Sequence, residues 1–138
     1  MPAVGNVLVI SSSKAFQVLM DRLLRQQGHA TVLASDGDEG FSAILFSRPS
    51  VVVLDLRDSD ADSLLFHGLL RKRHPELPVL SLVADRLRLC DGKRDVIVEP
   101  STADARTGHP VLAALRRAVD EVVLSASLRV WKPVPGLA

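Results

Sequence analysis

Four aliphatic residues in a row, Val51-Val52-Val53-Leu54, run straight into the carboxylate of Asp55. A run this short and this uniformly apolar fits a strand buried on both faces. In an open α/β sheet, the C-terminal ends of such strands are where sites are built. Val7-Leu8-Val9-Ile10, Ala30 to Ala34, Val79 to Val83 and Asp95 to Val98 read the same way. Between them, apolar residues recur at helical spacing. Phe16, Leu19, Met20, Leu23 and Leu24 mark a helix from Lys14 to about Gln27, stopped by Gly28. Any of Ser11, Ser12 and Ser13 can cap it. Phe41, Ile44 and Leu45 mark a second, ended before Pro49, and a third runs from about Asp62 to His74, closed by Pro75. Pro110 opens a last helix carrying Val111, Leu112, Leu115, Val119, Val122 and Val123. Strands alternating with amphipathic helices predict an α/β fold: a doubly wound sheet of five parallel strands with helices on both faces.

A chain of 138 residues is expected to form one domain, here residues 1–124, with 125–138 as a tail. The apolar pattern lapses after Ser125, and Val130-Trp131-Lys132-Pro133-Val134-Pro135 cannot continue a helix. Trp131 in that tail serves either as a strap packed on the domain or as part of a docking peptide. The net charge of +1 makes no case for nucleic acid or an anionic membrane. The one dense basic run, Arg71-Lys72-Arg73-His74, ends a predicted helix, where cations suit the dipole. No apolar stretch is long enough to span a bilayer, and the start lacks the basic region of a signal peptide. One cysteine, Cys90, excludes an internal disulfide and fits a reducing compartment, so a cytoplasmic location is expected.

The order and spacing of these segments resemble the receiver domain of bacterial two-component response regulators, over roughly residues 6–124. "NVLVISSS" stands where receivers carry strand one and an acidic pair, and "SDGDEGFSAILFSRPSVVVLDLRDSDADS" follows the stretch from helix two to the phosphoacceptor loop. "LPVLSLVA" matches strand four, and "RDVIVEP" matches strand five. The resemblance implies a flavodoxin-like sheet of order 2-1-3-4-5, with Asp55 at the phosphoacceptor position. It also implies that the rest of the phosphotransfer set is gone. Ser11 and Ser12 replace the two carboxylates that hold Mg²⁺, and neutral hydroxyls are poor ligands for a hard cation. Val83 replaces the hydroxyl that binds a phosphoryl oxygen, Glu99 replaces the lysine, and Val96 replaces the switch aromatic. Phosphoryl transfer rests on positioning and on cancelling oxygen charge, so these losses together should abolish it.

Glu99 follows Val83 by 16 residues, too few for the strand connection and whole helix that the family fits between the matching positions. Helix four is therefore expected to be shortened or remodelled. Two carboxylates, Asp55 and Glu99, converging on one crevice would repel unless a cation intervened, and Lys14 and Arg57 are the candidates for an ion cluster. The alternative is that Glu99 simply points into solvent. Ser11-Ser12-Ser13-Lys14 lacks the glycines of a phosphate cradle, the four histidines lack metal-ligand spacing, and Asp58, Asp60 and Asp62 lack the rest of a calcium loop.

These readings point to a stand-alone pseudo-receiver without enzymatic activity or cofactor, which signals by binding a protein partner as a monomer or weak homodimer. Arg86, Arg88 and Trp131 are its candidate contact residues. Two alternatives stay open. One is a response regulator still phosphorylated on Asp55 by a histidine kinase, with Mg²⁺ bound. The other is a small-ligand or nucleotide binder in the strand-end crevice.

Overall fold

The computed structural model describes residues 5–57 and 61–130. In chain order these form β1 (Asn6–Ile10), α1 (Lys14–Gln26), β2 (Ala30–Ala34), α2 (Gly37–Ser47), β3 (Val51–Asp55), α3 (Ala61–Arg73), β4 (Val79–Val83), β5 (Arg86–Cys90), β6 (Asp95–Val98), α4 (Thr102–Ala105) and α5 (Pro110–Val130). Local chemistry sets the helix starts. Ser13 caps α1 by accepting from the Phe16 amide at 3.2 Å, and Asp36 caps α2 by accepting from the Glu39 amide at 2.9 Å. Pro110 takes the first position of α5, where its missing N–H costs nothing.

The strands form one sheet in the order β2-β1-β3-β4-β5-β6. The first four are parallel, as the α/β class requires. The expected five-stranded, all-parallel sheet is corrected at its far edge. β5 runs antiparallel to β4, and β6 returns antiparallel to β5. The segment expected to hold a short helix four is thus a strand. The cause is its period of two: Leu87 and Leu89 are buried while Arg86 and Arg88 on the opposite face are exposed. Ala84 and Asp85 close the first hairpin, with Ala84 at φ 54. Residues 91–94 close the second, where the Asp91 carboxylate accepts from the amides of Lys93 and Arg94 at 3.0 and 2.8 Å.

One face of the sheet packs α1 and α5 through Phe16, Met20, Leu24, Leu115, Val119 and Val123. The other packs α2 and α3 through Ile44, Phe66 and Leu70. The short α4 was not expected. It is held by a reciprocal cap between Ser101 and Asp104, whose carboxylate also pairs with Arg117 at 2.9 Å. The last helix runs to Val130, past the expected tail boundary at Ser125, because no glycine or proline interrupts 125–130. Trp131 lies outside the described residues. Among those residues, no helix is long and apolar enough to cross a membrane.

Candidate functional site

Parallel pairing of β1 and β3 sets Ile10 beside Leu54, so the residues that follow, Ser11 and Asp55, meet at the top of the sheet. The Ser11 hydroxyl donates to Asp55 Oδ2 at 2.7 Å and accepts from the Ser13 amide at 3.0 Å. Arg57 supplies the other partners. Its Nε donates to Oδ1 at 2.8 Å, a terminal nitrogen donates to Oδ2 at 2.9 Å, and its backbone amide reaches Oδ1 at 3.2 Å. This is the bidentate fork that matches guanidinium to carboxylate. The guanidinium carbon also stacks 4.5 Å from the centre of the Phe16 ring, which holds the fork in place. Burial alone would push the Asp55 carboxyl up, but hydrogen bonds from Arg57 and Ser11 outweigh it and hold the group below its ordinary value. Only 8% of the Asp55 side chain is exposed.

Of the expected ion cluster, Arg57 is present and the rest is not. Lys14 is exposed at the first turn of α1 and makes no ion pair among the described residues. Glu99 is exposed, and it follows β6, which the inserted β5 moves outward. Three strand spacings, roughly 14 Å, now separate the strand bearing Asp55 from the one leading to Glu99. The anticipated repulsion between the two carboxylates therefore does not arise. Val83 and Val96 are 43% and 44% exposed, so neither offers a polar group or a buried switch ring. Ser12 is exposed on the rim. Arg86 is exposed, and Arg88 is bound through both nitrogen types by the Asp95 carboxylate.

Sequence reasoning missed Gln17. It is buried, and its amide donates to the carbonyl of Ser11 at 2.7 Å and to that of Ala34 at 3.3 Å. It ties the ends of β1 and β2 to α1. The signal was available: a polar residue stands between Phe16 and Met20 on the inward stripe of an amphipathic helix.

Beside Asp55 opens a crevice of about 550 Å³, rimmed by Ser11, Ser12, Asp36 and Asp38 and floored by Phe41, Phe66 and Leu69. Its donors do not fit Mg²⁺. Among the described residues no three carboxylate, histidine or cysteine groups converge, and the one central carboxylate is already engaged by a guanidinium.

No family profile matches the chain. Individual proteins do. It is 34% identical over 101 residues to the probable transcriptional regulatory protein TcrX of Mycobacterium tuberculosis, covering 69% of this chain and 43% of TcrX. It is 29% identical over 131 residues to the transcriptional regulatory protein AfsQ1 of Streptomyces coelicolor, covering 88% of this chain and 56% of AfsQ1. The chain thus spans about half the length of these relatives. Among solved structures, the receiver domain of Francisella response regulator 1452 matches at TM-score 0.52 and 28% identity, covering 58% of this chain and 66% of that one. NtrX from Brucella abortus matches at TM-score 0.52 and 31% identity, covering 56% of this chain and 18% of that one. With its doubly wound sheet and Asp55 at the end of β3, the chain belongs to the receiver domains of bacterial response regulators.

Proposed function

We propose that this receiver works without an aspartyl phosphate, as a non-enzymatic, phosphorylation-independent module that binds a protein partner in cytoplasmic signalling. The observation that carries this reading is the fork of Arg57 on Asp55, at 2.8 and 2.9 Å. A nucleophilic carboxylate needs a free oxygen, a metal beside it and cations around the arriving phosphoryl group. Here both oxygens are occupied by Arg57 and Ser11, the metal ligands are hydroxyls, and Glu99 puts a negative charge on the strand end where the family has a lysine. The arginine neutralises Asp55 permanently, so one conformation is held whatever the phosphate supply.

The test adds acetyl phosphate, or beryllofluoride with Mg²⁺, to isotope-labelled protein and follows the amides of residues 11–13 and 55–57. Unchanged spectra are the expected outcome. A saturable shift centred on Asp55, absent in Asp55→Asn, would sink the proposal and favour a phosphorylated regulator.

A further inference from the structure

We propose that the C-terminal ends of α2 and α3 form a docking groove for an acidic, amphipathic segment of another protein. This surface lies at the opposite end of the strands from Asp55, so the inference stands whether or not Asp55 is phosphorylated. At the end of α2, Leu45 is 74% and Phe46 90% exposed, and Phe46 is the most exposed large apolar side chain among the described residues. A solvent-facing phenylalanine beside a solvent-facing leucine does nothing for the fold, and paired exposure of this kind marks a contact surface. Leu45 borders a groove of about 360 Å³ whose other walls are Ile44, Pro49, Leu77, Arg48 and His74. An anchor thus stands next to an apolar slot, the arrangement in which binding energy concentrates.

The charges select the partner. Arg48 and His74 line the slot, and no acidic side chain does. Neither Arg48 nor His74 has its side chain in a hydrogen bond or ion pair among the described residues. Glu76, exposed in the loop before Leu77, is the one acidic side chain adjoining them in sequence. Arg48 is also held in the left-handed region at φ 47 as the cap of α2, where glycine or asparagine is favoured. An arginine kept at a conformational cost, and with no side-chain partner among the described residues, is accounted for by a contact with another molecule.

Other occupants fit less well. Residues 131–138 contain Lys132 and no aspartate or glutamate, so that segment has the wrong charge for the slot. A second copy docked with this same patch facing it would bring two basic slots together. The slot is concave, which suits a peptide better than a lipid surface.

The experiment pans a random peptide display library against the intact protein. Recovered peptides should carry Asp or Glu flanking a bulky apolar residue, and their binding should weaken with salt. Affinity should fall about tenfold or more in Phe46→Ala and in Arg48→Gly. The Arg48→Gly protein should melt no lower than the parent, because glycine relieves the left-handed strain, and this separates lost binding from lost folding. Recovered peptides that are basic or neutral, or that bind both variants as well as the parent, would overturn the inference, as would recovering none. So would Phe46-dependent binding to anionic phospholipid vesicles, or Phe46-dependent self-association in sedimentation.

Discussion

Removing the guanidinium of Arg57 leaves the Asp55 carboxylate with the Ser11 hydroxyl and one backbone amide, in a site where burial disfavours charge. In Arg57→Ala the carboxyl pKa should therefore rise from its depressed position, which a carbon-detected NMR titration would read. The stability cost should be about 1 kcal/mol, below the usual range for a charged hydrogen bond because 43% of the Arg57 side chain faces solvent. The sign with pH follows from the depressed value. The folded state holds its proton on Asp55 less tightly than the unfolded chain, so this contribution is full above the ordinary aspartate range and disappears as pH falls through the folded value. The gap in stability between the parent and Asp55→Asn should accordingly narrow on acidification, and a gap that stays constant would show that Arg57 does not act through the charge. Asp55 itself was legible from the apolar run that ends on it. The identity of its partner was not, because Lys14 follows the end of β1 and Arg57 the end of β3, and these two strand ends are adjacent. The ring of Phe16 beneath the guanidinium helps to hold Arg57 in the fork.

At the scale of elements, the β4–β5 hairpin turns on an alanine at φ 54. Left-handed backbone costs a non-glycine residue about 1–2 kcal/mol, against about 0.4–1 kcal/mol of extra chain entropy for glycine. Ala84→Gly should thus stabilise the protein by roughly 0.5–1 kcal/mol, measured by urea unfolding. Gly92 is the converse case. At φ +86 its missing side chain leaves room for the Pro75 carbonyl, which an added Cβ would approach to 2.3 Å, so Gly92→Ala should be clearly destabilising in the same measurement. On the helix above, His67 is pushed below its ordinary pKa by burial, then by Arg88 and Arg71, with Asp95 opposing. Its neutral form is favoured by folding, so stability should decline as pH drops below the ordinary histidine value, and His67→Gln should flatten that slope. The strands and helices up to β4 were readable from period and caps. The hairpin was misread as a remodelled helix although Arg86-Leu87-Arg88-Leu89 alternates cleanly. The turn Ala84-Asp85 carries no glycine or asparagine to announce it, and the family layout suggested a helix there.

For the molecule as a whole, the extra strand is part of the core and not an appendage. Leu87 is 1% exposed and belongs to the same apolar cluster as Leu115 and Val119 of α5. Leu87→Ala should therefore cost about 2–4 kcal/mol and still unfold in a single transition. A low cost, or a separate early transition, would mean that β5 and β6 form an independent flap. The two faces of the sheet also differ in a way that composition could not reveal. The face carrying α1 and α5 reaches across to β5, while on the opposite face of β5 Arg86 and Arg88 are exposed and only Cys90 at its end is buried. That is the one-sided pattern of an antiparallel sheet, set within an otherwise parallel one.

The reversal at β5 makes the loss of the lysine position irreversible by substitution. A serine can mutate back to aspartate, and Glu99 to lysine, but no side-chain change moves a strand. With β5 between β4 and β6, a lysine at position 99 would start roughly one strand spacing, some 5 Å, farther from Asp55 than the family geometry provides. Recovering that geometry would take the removal of a hairpin and the insertion of a helix. Single substitutions at position 99 therefore leave this edge of the sheet as it is, and the distance from Asp55 is set by topology and not by side-chain identity.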